Sequence, residues 1–95
     1  MKVQNITSNK GNKIANQFII KDDDNVEYFQ SYDSIIVRRL VKPLHTTIYL
    51  DENRWDYSVT TSKYRNIFLG GTKKETQKKI DQGIYELTDL NNGGK

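Results

Sequence analysis

Alternation of apolar and polar positions dominates the first half of the chain and predicts β-strands. Successive side chains of a strand point to opposite faces, so an apolar residue at every second position indicates a half-buried strand. Clusters of asparagine, aspartate and glycine separate these stretches and favour tight turns, as at Asn9-Lys10-Gly11-Asn12 and at Asp22-Asp23-Asp24-Asn25. The predicted strands are Met1–Ser8, Ile14–Lys21, Val26–Tyr32, Ile35–Val41, His45–Asp51 and Trp55–Ser58.

The alternation ends beyond the middle of the chain and gives way to helical spacing. Tyr64 and Phe68 lie one helical turn apart, and either Thr60 or Thr61 is placed to cap the start of a helix. The pair Gly70-Gly71 ends this helix, because glycine readily adopts the left-handed backbone conformation with which helices commonly finish. The pattern therefore predicts one short helix before residue 70.

A capping box predicts a second helix. Thr72 can cap the first turn, and Glu75, three residues later, can return a hydrogen bond to the backbone of Thr72. This helix runs over Lys73–Gln82, with Gly83 as its C-terminal glycine. Residues Ile84–Leu87 alternate again and predict a last strand that returns to the sheet.

Together these elements predict a single α+β domain over residues 1–90. It has an antiparallel sheet of about five to six strands, then two short C-terminal helices and a final strand. Residues 91–95 are polar and contain glycine, so we expect them to form a flexible C-terminal tail.

Composition narrows the function without naming it. The chain has 95 residues, no cysteine and a formal net charge of +3. One small domain leaves no room for separate cofactor and substrate domains, and without cysteine there is no thiolate metal site and no thiol nucleophile. No apolar stretch reaches the roughly 20 residues that cross a bilayer, and the start lacks the apolar region of a secretory signal, so we expect no membrane partner. The mild positive charge permits a nucleic acid or an acidic protein as partner.

Candidate catalytic and metal-binding groups are sparse. His45 is the single histidine and can act as a general base, although a lone histidine beside a turn is more often structural. The carboxylates of Asp51, Glu52 and Asp56 offer oxygen ligands for a hard cation, and a solvated turn explains them equally well. The acidic run Asp22-Asp23-Asp24 lacks the glycine and the distal glutamate of a calcium loop. We therefore predict no catalytic residue, no metal site and no cofactor.

Two regions combine basic residues with features that favour binding. In the first, Trp55 and Tyr57 precede Lys63 and Arg65 at the start of the first predicted helix. Unpaired backbone N–H groups at that helix start, with two cations nearby, suit a phosphate or a carboxylate. The alternative is that the hydroxyl groups there cap the helix while Trp55 packs in the core.

The second region is the helix over Lys73–Gln82. Lys74 and Lys78 lie one turn apart on one side, and Ile80 is the only aliphatic residue, so most of the helix surface faces water. Such a surface either attracts a polyanion or is a solvated helix without a partner. The predicted partner-binding residues are Trp55, Tyr57, Lys63, Arg65, Lys74 and Lys78.

Several segments carry a resemblance to a known family. They include Tyr28-Phe29-Gln30-Ser31-Tyr32-Asp33-Ser34-Ile35-Ile36-Val37, Lys73-Lys74-Glu75-Thr76 and the Trp-x-Tyr-Ser-x-Thr-Thr stretch from Trp55 to Thr61. They resemble a family of small, uncharacterised bacteriophage proteins of Gram-positive hosts. The resemblance implies a protein of the host bacterial cytoplasm. Many such proteins block a host enzyme or a defence system, as anti-CRISPR inhibitors do, by occluding a surface without any catalytic residue.

These observations lead to three hypotheses. The first is a small, non-catalytic, phage-encoded binding protein that inhibits a host protein as an anti-defence, anti-CRISPR-like or host-takeover factor. Its partner is then a host protein, such as a defence or nucleic-acid-processing enzyme, and the chain is a monomer or a small homo-oligomer. The alternative is a basic nucleic-acid-binding protein driven by the lysines and arginines around the two helices. The third is a small nuclease or hydrolase that uses His45 or the carboxylates of Asp51 and Asp56.

Overall fold

The computed structural model describes residues 1–8 and 10–91. In chain order its elements are β1 (Lys2–Thr7), β2 (Lys13–Lys21), β3 (Val26–Ser31), β4 (Ser34–Val41), β5 (Thr46–Asp51), α1 (Val59–Leu69), α2 (Lys73–Asp81) and β6 (Tyr85–Thr88). Five strands, two helices and a last strand confirm the predicted α+β class. Within the described ranges, neither helix has the length and apolarity needed to cross a membrane.

The six strands form one sheet whose spatial order follows the chain, from β1 at one edge to β6 at the other. All pairs from β1–β2 to β4–β5 are antiparallel, because short turns connect each strand to the next. β6 instead runs parallel to β5, with Ile48 opposite Tyr85 and Leu50 opposite Leu87. The connection from β5 to β6 contains both helices, and a parallel pair requires a crossover of this kind. The sheet is therefore mostly antiparallel.

The segment Trp55–Ser58 is not a strand, and that prediction was wrong. Turns occupy residues 52–56 between β5 and α1, and a bend follows at Tyr57. In them the backbone N–H groups of Arg54 and Trp55 donate to the carbonyl oxygen of Asp51 at 3.2 and 3.0 Å. β6 fills the place beside β5 that the expected hairpin would have used. Four alternating residues are too few to distinguish a strand from consecutive turns.

The predicted capping signals of α2 and the predicted end of α1 are confirmed. The Glu75 N–H donates to Thr72 Oγ1 at 3.2 Å, and the Thr72 N–H donates to Glu75 Oε1 at 2.9 Å, which completes a capping box. Gly70 ends α1 with a φ of 75°, a left-handed conformation that glycine adopts without steric strain. The boundary between the helices is thus encoded locally.

The start of α1 differs from the prediction. Its N-cap is Ser58, whose Oγ accepts a hydrogen bond from the Thr61 N–H at 3.0 Å, so neither Thr60 nor Thr61 caps the helix. Thr61 is fully buried, and its hydroxyl lies 2.9 Å from the Ser31 hydroxyl on β3. The threonine hydroxyl therefore docks α1 on the sheet instead of capping it.

Both helices pack on the same face of the sheet, which we call the covered face. Phe29, Val37 and Leu50 are fully buried there. The Phe29 ring lies 5.9 Å from the ring of Phe68 on α1, measured between centroids, and Ile80 of α2 packs against the same cluster. The hydrophobic core therefore lies between the covered face and the two helices.

The opposite face, which we call the open face, carries no helix among the described residues. One row of register-paired residues crosses all six strands there: Val3, Ile20, Tyr28, Arg38, Tyr49 and Glu86. Neighbouring residues of a strand alternate between faces, so Arg39 lies on the covered face, where its guanidinium is 2.7 Å from Glu27. The open face thus carries a mainly apolar row with one cation and one anion, which is exposed at Val3 and Glu86 and half-buried between them.

The segment after β6 is anchored at Asn91. Its side-chain amide accepts from the Ile35 N–H at 2.7 Å and donates to the Ile35 carbonyl at 2.9 Å and to Asp51 Oδ1 at 3.0 Å. Asn91 was predicted to begin the flexible tail, and these hydrogen bonds contradict that part of the prediction. The rest of the predicted tail, residues 92–95, lies outside the described residues.

Candidate partner-binding surface

The turns before α1, the start of α1 and the exposed side of α2 form one continuous surface with two shallow depressions. The first has a volume of about 640 Å³ and includes Tyr57, Lys63 and Lys73. The second, along α2, has a volume of about 660 Å³ and includes Lys74 and Lys78. Because Lys73 lines both depressions, they adjoin.

We call this area the helical surface and define it by six exposed residues: Tyr57, Val59, Lys63, Lys73, Lys74 and Lys78. Tyr57 is 50% exposed and Val59 is 89% exposed, so an aromatic ring and an aliphatic side chain stand in water side by side. The two depressions are lined by four lysines and two aspartates, which gives the area a net positive charge. This combination of apolar groups and cations suits an acidic macromolecule.

Most of the predicted contact residues lie in this region. Tyr57, Lys63, Lys74 and Lys78 are exposed and belong to the helical surface. Trp55 is half-buried and packs against the hydrophobic core, as the alternative interpretation of this segment expected. The helical surface therefore draws four of its members from the prediction.

Arg65 was predicted to be a contact residue, and its burial contradicts this. No part of the side chain is exposed. Its guanidinium donates to the Trp55 carbonyl, to Ser62 Oγ at 3.2 Å and to Asn66 Oδ1 at 2.9 Å, and it lies 5.2 Å from the centre of the Trp55 ring. Burial lowers the pKa of Arg65 from its ordinary value, and the charge of Asp56 opposes this shift. Arg65 therefore supports the turn before α1 from within the protein.

Asp56 connects the two helices. Its Oδ2 lies 2.8 Å from Lys73 Nζ at the start of α2, while its Oδ1 accepts from Ser62 Oγ at 3.1 Å and lies 3.5 Å from Arg65 Nη1. Partial burial raises the pKa of this carboxyl group, but the hydrogen bonds from Lys73 and Ser62 and the nearby positive charges outweigh burial. The pKa of Asp56 consequently lies below its ordinary value of 3.8.

The anion site predicted at the start of α1 is filled by the chain itself. The guanidinium of Arg65, one of the two cations expected beside a phosphate or carboxylate, and the Ser62 hydroxyl both contact the Asp56 carboxylate. The Thr61 N–H, which the prediction left unpaired, is bonded to Ser58. Of the two cations expected at this site, Lys63 is exposed, whereas Arg65 contacts Asp56.

Val59 and Lys73 were not among the predicted contact residues, and each occupies the first position of a helix. Val59 follows the N-cap Ser58, and Lys73 follows the N-cap Thr72. The capping box at Thr72 was a usable signal for the place of Lys73, because the residue after an N-cap is the first of the helix. No equivalent signal marked Val59, because the prediction placed the cap after it.

The residues considered for catalysis do not converge. His45 is exposed in the turn between β4 and β5, where its carbonyl accepts from the Lys42 N–H at 3.1 Å. Asp51 is fully buried, and its Oδ1 accepts from the Leu90 N–H at 2.9 Å and from Asn91 Nδ2 at 3.0 Å. Among residues 1–8 and 10–91, no group of three or more His, Cys, Asp or Glu side chains could hold a metal ion. Asp51 therefore fastens the C-terminal segment to β5.

The chain matches the model of one protein family. Residues 1–84 match the model of the family of unknown function DUF8033, and the chain belongs to this family. The match covers β1 to β5 and both helices and ends just before β6. Comparison with curated proteins and with solved structures gives no match.

Proposed function

We propose that this protein is a non-catalytic binding protein whose helical surface covers an acidic area of a host protein and thereby inhibits it. The observation that carries the proposal is the grouping of Tyr57 and Val59 with the lysines of two adjoining depressions. Half-exposed aromatic groups supply contact area at low entropic cost, and lysines around them select an acidic partner.

The ion pairs of the helical surface support the proposal, because two of its lysines are left without a carboxylate partner among the described residues. Lys73 is held by Asp56 at 2.8 Å, whereas Lys74 and Lys78 form no ion pair with any described residue. Unpaired exposed cations accelerate the approach of an acidic partner, and the effect weakens with salt. The Asp56–Lys73 pair fixes the start of α2 against the turn before α1, so the surface is formed before the partner arrives.

The resemblance to bacteriophage proteins extends this proposal to a biological setting. In that setting the chain acts in the host bacterial cytoplasm as an anti-defence, anti-CRISPR-like or host-takeover factor. Occlusion by a one-to-one complex requires a surface and no reacting group, which agrees with the use of Asp51 and Asp56 in internal hydrogen bonds.

The proposal is tested by reversing the two unpaired lysines. Tagged protein captures its partner from host lysate, and the purified pair is expected to elute as a one-to-one complex in which the partner's activity is inhibited. The double variant Lys74→Glu and Lys78→Glu should lose capture and inhibition. A matched double variant, Lys13→Glu and Lys42→Glu, changes two exposed lysines outside the helical surface and should keep both. Equal loss in both variants would reject the helical surface as the contact.

Direct nucleic-acid binding is the second candidate function, because Lys74 and Lys78 lie one turn apart on α2 without an ion-pair partner in the described part of the chain. Fluorescence polarisation with single- and double-stranded oligonucleotides at two salt concentrations separates the two candidates. Affinity for oligonucleotides that falls steeply with salt and is lost on reversal of these lysines supports this candidate. Absence of binding at low salt removes it.

A further inference from the structure

The open face of the sheet carries eight apolar or aromatic side chains although no described helix covers it. On this face Val3, Ile20, Tyr28 and Tyr49 share one cross-strand row. Further apolar residues lie beside the row: Phe18, Val26, Ile35 and Leu40. None of these eight side chains belongs to the core cluster or to the partly buried residues packed against it. The same register also places Asn5, Gln30 and Thr47 on this face, so its apolar side chains lie among polar ones. An antiparallel sheet with helices on one side normally presents polar side chains on the other, and here apolar groups lie between them.

The open face carries little charge. In the central row the only cation is Arg38 and the only anion is Glu86. The Arg38 guanidinium lies 4.7 Å above the ring of Tyr49, and its Nε is buried without a hydrogen-bond partner among the described residues. A nucleic acid would require several cations to neutralise its phosphates, and this face offers one.

We propose that the open face binds the open face of a second copy of this chain, forming a two-sheet sandwich dimer. Two apolar sheets that meet face to face interdigitate their side chains at a separation of about 10 Å. The dimer removes from water the apolar residues that α1 and α2 leave uncovered. It uses the opposite side of the sheet from the helical surface, which stays available to a host partner.

The positions of the two charges select one arrangement of the dimer. Facing sheets in a closed dimer are related by a two-fold axis that lies in the plane between them. An axis along the central row would set Arg38 against Arg38 of the second copy and Glu86 against Glu86, which is repulsive. An axis parallel to the strands, between β3 and β4, instead sets Arg38 over Tyr28 of the second copy, where a cation meets the negative face of a ring. In this arrangement β1 of each copy lies over β6 of the other.

The size of the face is consistent with a weak but specific dimer. Six strands spaced by about 4.8 Å span roughly 24 Å, and five residues along a strand span roughly 17 Å, so the face has about 400 Å² of flat area. Standard interfaces bury about 800 Å² per partner, measured over the relief of the side chains. We therefore expect association at high micromolar protein concentration.

Sedimentation equilibrium tests the association. Protein concentrations from about 10 µM to about 1 mM span the dissociation constant expected of a weak dimer. The expected result is a concentration-dependent equilibrium between monomer and dimer. Ile20→Lys, in the middle of the open face, should keep the protein monomeric, and circular dichroism shows that the variant is folded. Leu44→Lys is the control, because Leu44 is 95% exposed in the turn between β4 and β5 and should leave the equilibrium unchanged.

Cross-linking tests the arrangement, and the absence of native cysteine makes it clean. Val3→Cys protein and Glu86→Cys protein, carrying different tags, are mixed and treated with a short bis-maleimide. Cross-links that join one variant to the other should exceed cross-links that join two copies of the same variant, because β1 lies over β6 of the second copy. Leu44→Cys gives the background from random collision.

Each other outcome overturns the proposal. A protein that stays monomeric at about 1 mM, or a dimer that persists in Ile20→Lys, excludes the open face as the contact between copies. Preferred cross-linking of Val3→Cys to itself excludes the axis parallel to the strands. Oligonucleotide or host-protein binding by a monomer that Ile20→Lys abolishes would assign the face to that other occupant. None of these results alters the test of Lys74 and Lys78, so the two proposals fail separately.

Discussion

Arg65 and Arg38 each stack on an aromatic ring, but they belong to opposite sides of the sheet and are bonded differently. Arg65, on the covered side, lies 5.2 Å from the Trp55 ring and is fully buried among hydrogen-bond acceptors. Arg38, on the open face, lies 4.7 Å from the Tyr49 ring and makes no hydrogen bond or ion pair within the described residues. The same residue type thus holds a structure together in one region and remains unpaired in the other.

The helical surface and the open face are formed in different ways. On the covered side, a buried cation orders the Trp55 carbonyl and Asp56, and Asp56 holds Lys73, so the helical surface depends on a chain of specific hydrogen bonds. The open face depends only on the alternation of side chains along the strands. A surface of the first kind is lost when one member of the chain is removed, whereas one of the second kind loses area in proportion to the residue changed.

The largest effect on stability is expected from two neighbouring substitutions on β3. Phe29 points to the covered face and Tyr28 to the open face. Phe29→Ala removes a fully buried ring that stacks on Phe68, and it should lower the free energy of unfolding by about 3–5 kcal/mol. Tyr28→Ala removes a half-buried ring and should cost roughly 1–2 kcal/mol. Urea unfolding at low protein concentration measures both. Equal costs would mean that the open face is packed as tightly as the core.

Repeating these unfolding measurements at high protein concentration shows whether the open face takes part in a dimer. A protein that dimerises through the open face gains stability with concentration, since association favours the folded state. Native protein and Phe29→Ala should both show this rise in midpoint, and Tyr28→Ala should show much less. A rise of the same size in all three would place the contact between copies elsewhere.

The second effect concerns the two arginines. Arg65→Met leaves the Trp55 carbonyl and the Asn66 side chain without a buried donor, and it should destabilise the protein by about 2–4 kcal/mol. Arg38→Met keeps the apolar stem over Tyr49 and should change stability by less than about 0.5 kcal/mol. Urea denaturation measures the difference in free energy of unfolding, with one denaturant slope fitted to all variants.

Arg65→Lys is the control for charge. A lysine keeps the positive charge but cannot donate through a planar fork to several acceptors at once, so it should recover only part of the lost stability. A lysine variant as stable as the native protein would show that charge alone, and not the fork of donors, holds the turn before α1.

Much of the fold could be predicted because its signals are local. Clusters of asparagine, aspartate and glycine mark the turns of the first two hairpins, the Thr72–Glu75 capping box marks α2, and Gly70 ends α1 with a left-handed backbone. The parallel pairing of β6 with β5 is a property of the whole fold, and no short segment encodes it. The same holds for the turns at Trp55–Ser58, where four alternating residues imitate a strand.

The candidate surface was only partly predictable for a related reason. Exposure of Lys74 and Lys78 follows from their place on a helix with one aliphatic residue, whereas burial of Arg65 depends on acceptors supplied by the turn before α1. One signal was present: Thr61, Arg65 and Phe68 follow the spacing of a buried helical stripe. The charge of Arg65 favours exposure, whereas its spacing from Thr61 and Phe68 favours the burial that is observed.

The smallest expected effect tests whether Asp56 transmits order from Arg65 to Lys73. The folded-state pKa of Asp56 lies below its ordinary value of 3.8, because hydrogen bonds from Lys73 and Ser62 and nearby positive charges outweigh partial burial. A lowered carboxyl pKa stabilises the folded state above the unfolded pKa, and this contribution disappears as pH falls through the folded pKa. Asp56→Asn should therefore lower stability at neutral pH by roughly 0.5–1 kcal/mol, a figure discounted for solvent screening.

Measuring the free energy of unfolding over a range of pH makes this small effect detectable. The stability difference between native protein and Asp56→Asn should be constant at neutral pH and shrink as the pH falls below 3.8, the ordinary pKa, because protonated Asp56 and asparagine are then alike in charge. Asp24→Asn, an exposed change in the turn between β2 and β3, should leave stability unchanged over the same range. A difference for Asp56→Asn that persisted at the lowest pH would mean that hydrogen-bond geometry, and not charge, links α1 to α2.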